Sequence, residues 1–420
     1  MKTKFIGMAA LAAMFSLGFT ACSNNEEIGG AEVAQARDAI GFNISADGMK
    51  ASTRGLATNS GSIIFTDFQT WGYDAVDGGL YMGASATSGV TVTNTAGVWG
   101  YTPTQFWPVN ALNFVAIAPA SSAEITGNSV AQDGSNVLTL TSAIALDTDV
   151  EDQDDIMFAA ARTADVTTPT PALGAYGPVA KDDHDGDVPL NFQHALSQVV
   201  FKGKLPANGM VTEVEIAEIS LGNIPSEGSL TFTSAGAFYG GNATITPTAL
   251  SEAVFSLDAG DLEDANWGVG GTGDTYSNAT AGTAFDLTVS NSASKPTALK
   301  PGNAWFMLPQ ALTAWEYRAD PSAPATAADN AKLKAGGMVS APATGAYMKI
   351  RATLKKNGVT ILGNAESDAV YIPIGDTWER GKKYIYTIEF NGTGALTPIT
   401  FSVTAVDWTD ATPQPDELSF

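Results

Sequence analysis

Short runs in which apolar residues occupy every second position recur along this chain and constrain its fold more than any other feature. They are rich in Val, Ile, Thr, Phe and Tyr, and clusters of Gly, Asn, Asp and Pro separate them. Such alternation is typical of strands with one buried face, and many short strands between turns are typical of β-sandwiches. Helical patterning is scarce. The clearest runs are Ala39–Ser45, Ser62–Phe65, Gly89–Asn94, Leu112–Ala118, Val137–Thr141, Gln198–Gly203, Val211–Leu221, Ser229–Thr233, Tyr347–Leu354, Lys383–Phe390 and Ile399–Val406.

The length of the chain allows more than one domain. With 420 residues, it can bury the cores of two. A Pro/Gly-rich stretch leads into the acidic segment Asp182–Asp187, and the strand-like stretch Val188–Phe201 follows it. We therefore predict an all-β chain with one sandwich domain at 55–187 and another at 188–420.

The N-terminus has the pattern of an export signal that ends at a cysteine. A short basic region containing Lys2 and Lys4 precedes the apolar segment Phe5–Phe19, and small residues lead to Cys22. This pattern predicts a lipoprotein signal peptide at 1–21, removed before Cys22, which then carries acyl chains. The alternative is an ordinary secretory signal with an unpaired cysteine beyond it. Residues 22–54 would then contain the tether that follows the anchor.

The charge balance excludes some partners. The formal net charge is −23, and only 15% of the residues are charged, against a norm of about 25%. An acidic surface repels phosphate groups, so we expect no nucleic-acid partner and no direct binding to anionic membranes. Once the only cysteine is acylated, no disulfide can form, and packed cores must stabilise the fold.

The inventory of reactive residues argues against an enzyme. Its two histidines are His184 and His194, and no zinc-protease or paired-cysteine motif accompanies them. The string at 268–273 matches GxGxxG, but no helical pattern follows it. The acidic segment Asp182–Asp187 partly resembles a calcium loop, although Gln193 stands where the loop needs glutamate. We expect no catalytic residue, metal or cofactor, and expect His194 to be a packed core residue.

Five tryptophans lie within or beside strand runs, where core or edge packing is the usual explanation. One or two of them could instead form an exposed platform for carbohydrate. The five are Trp99, Trp107, Trp305, Trp378 and Trp408.

Several local patterns, in this order, resemble the fimbrillin (type V pilin) family and its fimbrillin-like lipoprotein relatives. Together they cover nearly the whole mature chain. They are Thr53-Arg54 after a first strand, Phe106-Trp107-Pro108 before Leu112–Ala118, the segments Gln153–Ala159 and Leu190–Val199, and a closing block from Ile372 through Trp378 and Tyr384–Ile388 to Trp408.

The resemblance implies two tandem transthyretin-like β-sandwich domains and a place at the surface of the outer membrane and in a fimbrium. It also implies that a trypsin-like protease cuts the lipoprotein precursor after an arginine. The N-terminal strand then leaves a groove, and the C-terminal strand of a neighbouring subunit fills it, as in β-augmentation. The implied partners are other pilus subunits, a processing protease and, through the lipid anchor, the membrane.

On this resemblance the removable strand is Ile40–Ser45, with Ile40, Phe42 and Ile44 as its apolar positions. The scissile bond is Arg54–Gly55, which follows a small, polar stretch of the kind that proteases enter. Arg37 is the rival site, but a cut there would leave the strand in place.

The predicted donor is the C-terminal segment. Phe401, Val403 and Ala405 alternate along it. Beyond Trp408 the tail contains prolines, which cannot donate ladder hydrogen bonds, and Leu418 and Phe420 are its only large apolar residues. The sequence thus predicts a pilus subunit that polymerises by strand exchange. The alternative function is a surface lipoprotein that binds glycans or host ligands without polymerising.

Overall fold

The part of the chain that the structure describes consists of β-strands and the turns and loops between them, without a helix. A computed structural model describes residues 39–46, 65–150, 152–161, 176–182, 187–207, 210–235, 242–248, 252–256, 284–286, 305–314, 344–363, 369–390 and 399–407. The prediction of an all-β chain is confirmed. Its arrangement as tandem transthyretin-like sandwiches, divided at 187/188, stays a prediction.

An eight-stranded sheet contains the first described strand. Its order is β1-β10-β9-β6-β2-β4-β5, with β3 added beside β2. The strands are β1 (Gly41–Ala46), β2 (Asp67–Asp74), β3 (Leu80–Met82), β4 (Val90–Thr95), β5 (Val98–Gly100), β6 (Leu112–Ala118), β9 (Met157–Ala160) and β10 (Asp187–His194).

A four-stranded sheet combines strands from both sides of the 187/188 boundary, in the order β14-β13-β8-β7. Its strands are β7 (Ile125–Gln132), β8 (Leu138–Ala145), β13 (Glu227–Thr233) and β14 (Ala243–Pro247).

Two five-stranded sheets hold most of the remaining chain. One has the order β16-β11-β23-β24 with β17 beside β11, the other the order β15-β12-β19-β20 with β21 beside β19, and β18 pairs with β22. The strands are β11 (Ser197–Lys204), β12 (Glu213–Pro225), β15 (Glu252–Phe255), β16 (Ala284–Asp286), β17 (Trp305–Met307), β18 (Gln310–Ala311), β19 (Tyr347–Lys356), β20 (Val359–Leu362), β21 (Val370–Pro373), β22 (Thr377–Trp378), β23 (Lys382–Phe390) and β24 (Ile399–Asp407).

The eight-stranded sheet is covered on both faces. On one face Phe158 of β9 packs against Phe232 of β13 with ring centroids 4.5 Å apart. The opposite face carries a separate apolar cluster that includes Phe68, Phe114 and Phe192. Burial on both faces explains why all seven residues of β6 are buried.

One predicted strand-like stretch is divided between two sheets. The run Val188–Phe201 breaks at Ala195, whose N–H donates to the carbonyl of Ile156. The residues before the break belong to β10 and those after it to β11. The other prediction to fail in part is Ser62–Phe65, because Phe65 lies outside any strand and 62–64 fall outside the described residues.

Candidate functional site

The strand β1 lies at the edge of the eight-stranded sheet and pairs with β10 alone. The pairing is parallel and runs from Gly41 opposite Asp187 to Ala46 opposite Phe192. Every other strand pair of this sheet is antiparallel. The first described strand is therefore an addition to one end of an otherwise antiparallel sheet.

Alternate side chains of β1 and the residue before it enter the core. Ile40 is 2% exposed, Phe42 8% and Ile44 9%, whereas Asn43 between them is exposed. The alternation of apolar residues in the sequence predicts this alternate burial, because successive side chains of a strand point to opposite faces. These are the three positions that the sequence analysis assigned to a removable strand, and removal itself stays a prediction.

The ring of Phe42 occupies an aromatic pocket. Its centroid lies 5.6 Å from that of Phe68, 5.8 Å from that of Tyr101 and 6.1 Å from that of Phe114. The three interplanar angles, 85°, 68° and 87°, are those of edge-to-face contacts, which aromatic pairs favour. Phe68 and Phe114 belong to central strands, so the sheet curls to bring its edge strand over its middle.

The free edge of β1 is held by the segment that follows β5. The N–H of Ile40 donates to the carbonyl of Gln105 over 2.9 Å, and the hydroxyl of Tyr101 donates to the carbonyl of Ile40, also over 2.9 Å. On the outer face, the side-chain amide of Asn191 donates to the Ser45 hydroxyl over 2.7 Å. We call the space bounded by β10, the aromatic pocket and residues 101–106 the β1 groove.

The predicted donor strand is part of its own subunit in this structure. β24 pairs antiparallel with β23 along its whole length, from Lys382 opposite Asp407 to Phe390 opposite Ile399. It lies at the end of its sheet. Ile399 is 2% exposed, Val403 is half-buried and Ala405 is exposed. To act as a donor strand, β24 would first have to leave β23 of its own copy.

Several predicted sites fall outside the described residues. They are Cys22, Arg54, Gly55, Trp408, Leu418, Phe420 and the string at 268–273. The lipidation, cleavage and tail assignments accordingly stay predictions.

His194 is a buried residue paired with a carboxylate. Its Nδ1 lies 2.8 Å from Oδ2 of Asp155, and the two side chains are 0% and 1% exposed. Burial raises the pKa of Asp155, and the neighbouring imidazole opposes that rise. In the described part of the chain, no group of three or more His, Cys, Asp and Glu side chains could hold a metal ion.

Arg380 connects the segment between β22 and β23 with the end of β10. It lies between β22 and β23, and its Nη1 donates to Gln193 Oε1 over 3.2 Å at the end of β10. Its guanidinium also lies 5.0 Å from the ring centroid of Phe158. The residues between β22 and β23 are thus hydrogen-bonded to the end of β10.

Most of the tryptophans considered for a carbohydrate platform are inside the protein. Trp107, Trp305 and Trp378 are 4%, 1% and 1% exposed. Trp99 is half-buried and contacts Phe65 and Phe68, with ring centroids 5.8 and 5.3 Å apart. Core packing, the usual explanation, therefore holds for three of them.

The sequence did not predict the residues that contact β1 from the segment after β5 and from β2. Tyr101 and Gln105 touch a strand some sixty positions earlier in the chain (61 residues separate Tyr101 from Ile40), and no local pattern marks them. Phe68 lies on β2, which was not predicted, although the aromatic-rich run around it could have suggested a buried strand.

Comparisons with solved structures found proteins that align over most of both chains and have low sequence identity to this chain. A fimbrial protein from Bacteroides vulgatus is 16% identical and covers 88% of this chain and 99% of its own, with a TM-score of 0.48. A putative cell adhesion protein from Bacteroides uniformis is 14% identical, with coverages of 90% and 100% and a TM-score of 0.37. The tip fimbrial protein Mfa3 from Porphyromonas gingivalis, with a C-terminal truncation, is 10% identical, with coverages of 82% and 94% and a TM-score of 0.34.

Further findings concern the sequence and its hydropathy. No curated protein matches the chain, and the described residues include no helix long and apolar enough to cross a membrane. The model of the fimbrillin-like family matches residues 75–408, which is most of the chain and includes β10 and residues 101–106 of the β1 groove. The chain belongs to the fimbrillin-like family.

Proposed function

We propose that this chain is a subunit of a cell-surface fimbrium with a role in adhesion, and that β1 is the strand it exchanges during assembly. Membership of the fimbrillin-like family supports the fimbrial role. The position of β1 supports the proposed exchange. β1 is the first described strand, and it fills an apolar groove at the edge of a sheet.

The stability that β1 provides explains why another strand must replace it. Burying a large apolar side chain stabilises a fold by about 1.5–3 kcal/mol, and β1 with its preceding residue buries three of them. Loss of β1 would uncover Phe68 and Phe114 and leave the N–H and C=O groups of β10 that pair with β1 without partners. An open sheet edge beside exposed apolar rings favours the addition of a strand from another chain.

Proteolysis between β1 and the rest of the fold would permit this loss. Arg54 lies after Ala46, where β1 ends, and before Phe65, where the described fold resumes. A cut at Arg54–Gly55 leaves β1 attached to the body of the protein by non-covalent contacts alone. A cut after Arg37 lies on the other side of β1 and leaves it covalently joined to the groove that it fills.

Export completes the proposal. Cleavage of a signal peptide at 1–21 and acylation of Cys22 would anchor the precursor in the outer membrane, with β1 protecting the groove until the protease acts. Other copies of the chain, or other pilus subunits, then provide the donor strand from the C-terminal segment. On this view the mature chain forms two sandwich domains, 55–187 and 188–420.

The test uses a soluble chain that begins at Ser23 and an arginine-specific protease, which ignores Lys50. We expect a cut at Arg54–Gly55, slow loss of residues 23–54, and concentration-dependent oligomers that resist detergent. Arg54→Ala should abolish both the loss and the oligomers. The matched control, Arg37→Ala, should change neither.

Two outcomes would oppose the proposal. Complete cleavage and loss of β1 with monomers throughout would exclude a polymerising subunit. Oligomers of equal yield in the Arg54→Ala variant would show that assembly does not depend on this cut. A lipoprotein that only binds glycans or host ligands should stay monomeric in every variant.

A further inference from the structure

The four-stranded sheet has one face in the core and one face toward solvent. Leu140 and Phe232, opposite each other on β8 and β13, are buried, whereas their neighbours Thr141 and Thr231 are exposed. At the paired positions of the four strands, every outward side chain belongs to a threonine, a serine or an alanine, apart from Glu227 at one end. We call this outward surface the threonine face.

Hydroxyl side chains run across all four strands of this face. Neighbouring strands lie about 4.8 Å apart, and residues two apart on one strand lie about 7 Å apart. The middle of the face is therefore a regular array of short side chains, and no long side chain there would hold a partner away. One row across the strands consists of Ser129, Thr141, Thr231 and Thr244, and the next row combines Ala143 with three further hydroxyl residues.

Another sheet of the same chain carries charged pairs instead. On β12 and β19, Glu218 pairs with Arg351 and Lys349, and Glu213 pairs with Lys355. In contrast, the threonine face has one charged side chain at its paired positions, in a chain whose formal net charge is −23. Because like charges repel and a buried charge is costly to desolvate, a neutral face is where two such acidic copies can approach most closely.

The threonine face is complementary to itself. A hydroxyl group donates one hydrogen bond and accepts others, so the hydroxyl groups of two copies can satisfy each other when water leaves. The methyl groups of threonine and alanine add apolar contact, as they do where two sheets stack without water between them. A twofold axis through the middle of the face would bring the row with Thr141 and Thr231 against the same row of another copy.

The size of the face determines how strong this contact can be. Four strands about 4.8 Å apart, each with about six residues of about 3.4 Å, give roughly 400 Å². Each partner contributes about 800 Å² to a stable interface. One pair of faces is therefore too small to hold two free copies together. Two arrays of copies bind far more strongly, because each contact after the first forms at a high effective concentration.

We propose that the threonine face docks on the threonine face of a second copy, weakly for a single pair and firmly between arrays of copies. A small ligand is the alternative occupant, but small-molecule sites are concave and lined largely by apolar and aromatic side chains. The paired positions of these four strands contain no outward aromatic residue. The inference goes beyond strand exchange, since the threonine face and β1 belong to different sheets. In a fimbrium, this contact would hold neighbouring fibres side by side.

The test displays copies at high density on beads. A chain that begins at Cys22 contains one cysteine, and its thiol couples to maleimide beads at the position predicted for the lipid anchor. Light scattering measures how fast the beads cluster at increasing density of coupled chain. We expect native beads to cluster above a threshold density, whereas the free chain should stay monomeric in sedimentation. No protease is present, so the result does not depend on strand exchange.

Thr141→Glu adds a like charge in the middle of the threonine face. It should slow clustering roughly tenfold, because the repulsion is repeated at every pair of copies. The matched control is Thr91→Glu, since Thr91 is an exposed residue of β4 that lies opposite Gln69. Beads with this control should cluster like native beads. Urea denaturation should give the same midpoint for both variants and the native chain, which shows that the fold is intact.

A charge swap tests whether two threonine faces meet each other. Beads with Thr141→Glu mixed with beads with Thr141→Lys should cluster, although neither kind should cluster alone. The corresponding mixture of Thr91→Glu and Thr91→Lys beads should cluster no faster than native beads. Failure of the Thr141 mixture to cluster would overturn docking of this face on itself.

Other outcomes would also overturn the inference. Native beads that stay dispersed at every density would do so, as would equal clustering of native and Thr141→Glu beads. Native beads that cluster only after addition of dextran, with loss of this effect in Thr141→Glu, would identify a glycan site in place of a contact between copies. Each of these results leaves the cleavage and exchange of β1 to be judged by their own experiment.

Discussion

The first and the last described strands have similar sequences but are held in different ways. β1 forms a short parallel ladder with β10, and three large side chains at alternate positions are buried beside it. β24 forms a longer antiparallel ladder with β23, and most of its described side chains are exposed. Side-chain burial therefore holds β1, whereas backbone pairing holds β24.

This difference indicates how one strand could replace the other. A strand held by backbone pairing can form a similar ladder on another edge, because the hydrogen bonds do not depend on sequence. A groove that recognises side chains accepts only strands with the right pattern. β24 is held mainly by such a ladder, and its residues Ile399, Phe401 and Val403 have the same spacing as Ile40, Phe42 and Ile44. The following predictions test the two halves of this contrast.

The largest effect is expected from Phe42→Ala in the intact precursor. Truncating a buried phenylalanine costs about 3–5 kcal/mol, and Phe42 contacts three rings in its pocket. Urea denaturation should show this loss. The neighbouring change Asn43→Ala, on the exposed side of the strand, should stay within about 0.5 kcal/mol. Equal losses in the two variants would refute the claim that side-chain burial holds β1.

A smaller but clear loss is expected from Ile399→Ala. Ile399 is 2% exposed at the beginning of β24, and removing a buried isoleucine costs about 2–5 kcal/mol. A value near the lower end is expected because Ile399 lies at the end of an edge strand. Val403→Ala should cost less, since Val403 is half-buried. A larger cost at Val403 would place the anchor of β24 in its middle.

Tyr101→Phe should release β1 faster with a modest loss of stability. The hydroxyl donates to the carbonyl of Ile40 and accepts from the N–H of Gln105, and losing a hydrogen bond costs about 0.5–1.5 kcal/mol. Hydrogen exchange of the β1 amides, or loss of residues 23–54 after cleavage, measures the release. Tyr73→Phe removes a hydroxyl that donates to the Val130 carbonyl and serves as control. It should lower stability without accelerating the release of β1.

The smallest effect is expected from Val406→Thr. Val406 is 40% exposed, and threonine keeps the branched shape that suits a strand. Its unfolding free energy should change by no more than about 0.5 kcal/mol. Urea denaturation beside Ile399→Ala checks this. A loss as large as that of Ile399→Ala would mean that side-chain burial along β24 has been underestimated.

The sequence predicted the strands that follow simple patterns and missed those that do not. Leu112–Ala118 was predicted to the residue because its apolar run has clear ends. β2, with the sequence DFQTWGYD, is buried on both faces along its second half and does not alternate. Its Gly72 packs so closely against Phe114 that a Cβ would come within 2.8 Å of that ring, which a strand-like pattern cannot reveal.

The sequence predicted the strand of the candidate site but not the pocket that receives it. Alternation along Ile40, Phe42 and Ile44 is local, and it predicted the face that the structure buries. The pocket that receives this face combines Phe68, Tyr101 and Phe114, which belong to separate parts of the chain. Which distant segments meet depends on how the eight-stranded sheet curls, and no spacing in the sequence encodes that curl.

The N-terminal residue of the protein recovered from assembled material at the cell surface tests the central claim most directly. Removal of β1 before assembly predicts that Edman degradation or mass spectrometry finds Gly55 there, and finds acylated Cys22 only in unassembled precursor. Assembled fibres whose subunits begin at Cys22 and retain Ile40–Ser45 would contradict the account, because the β1 groove would then still be filled by its own strand.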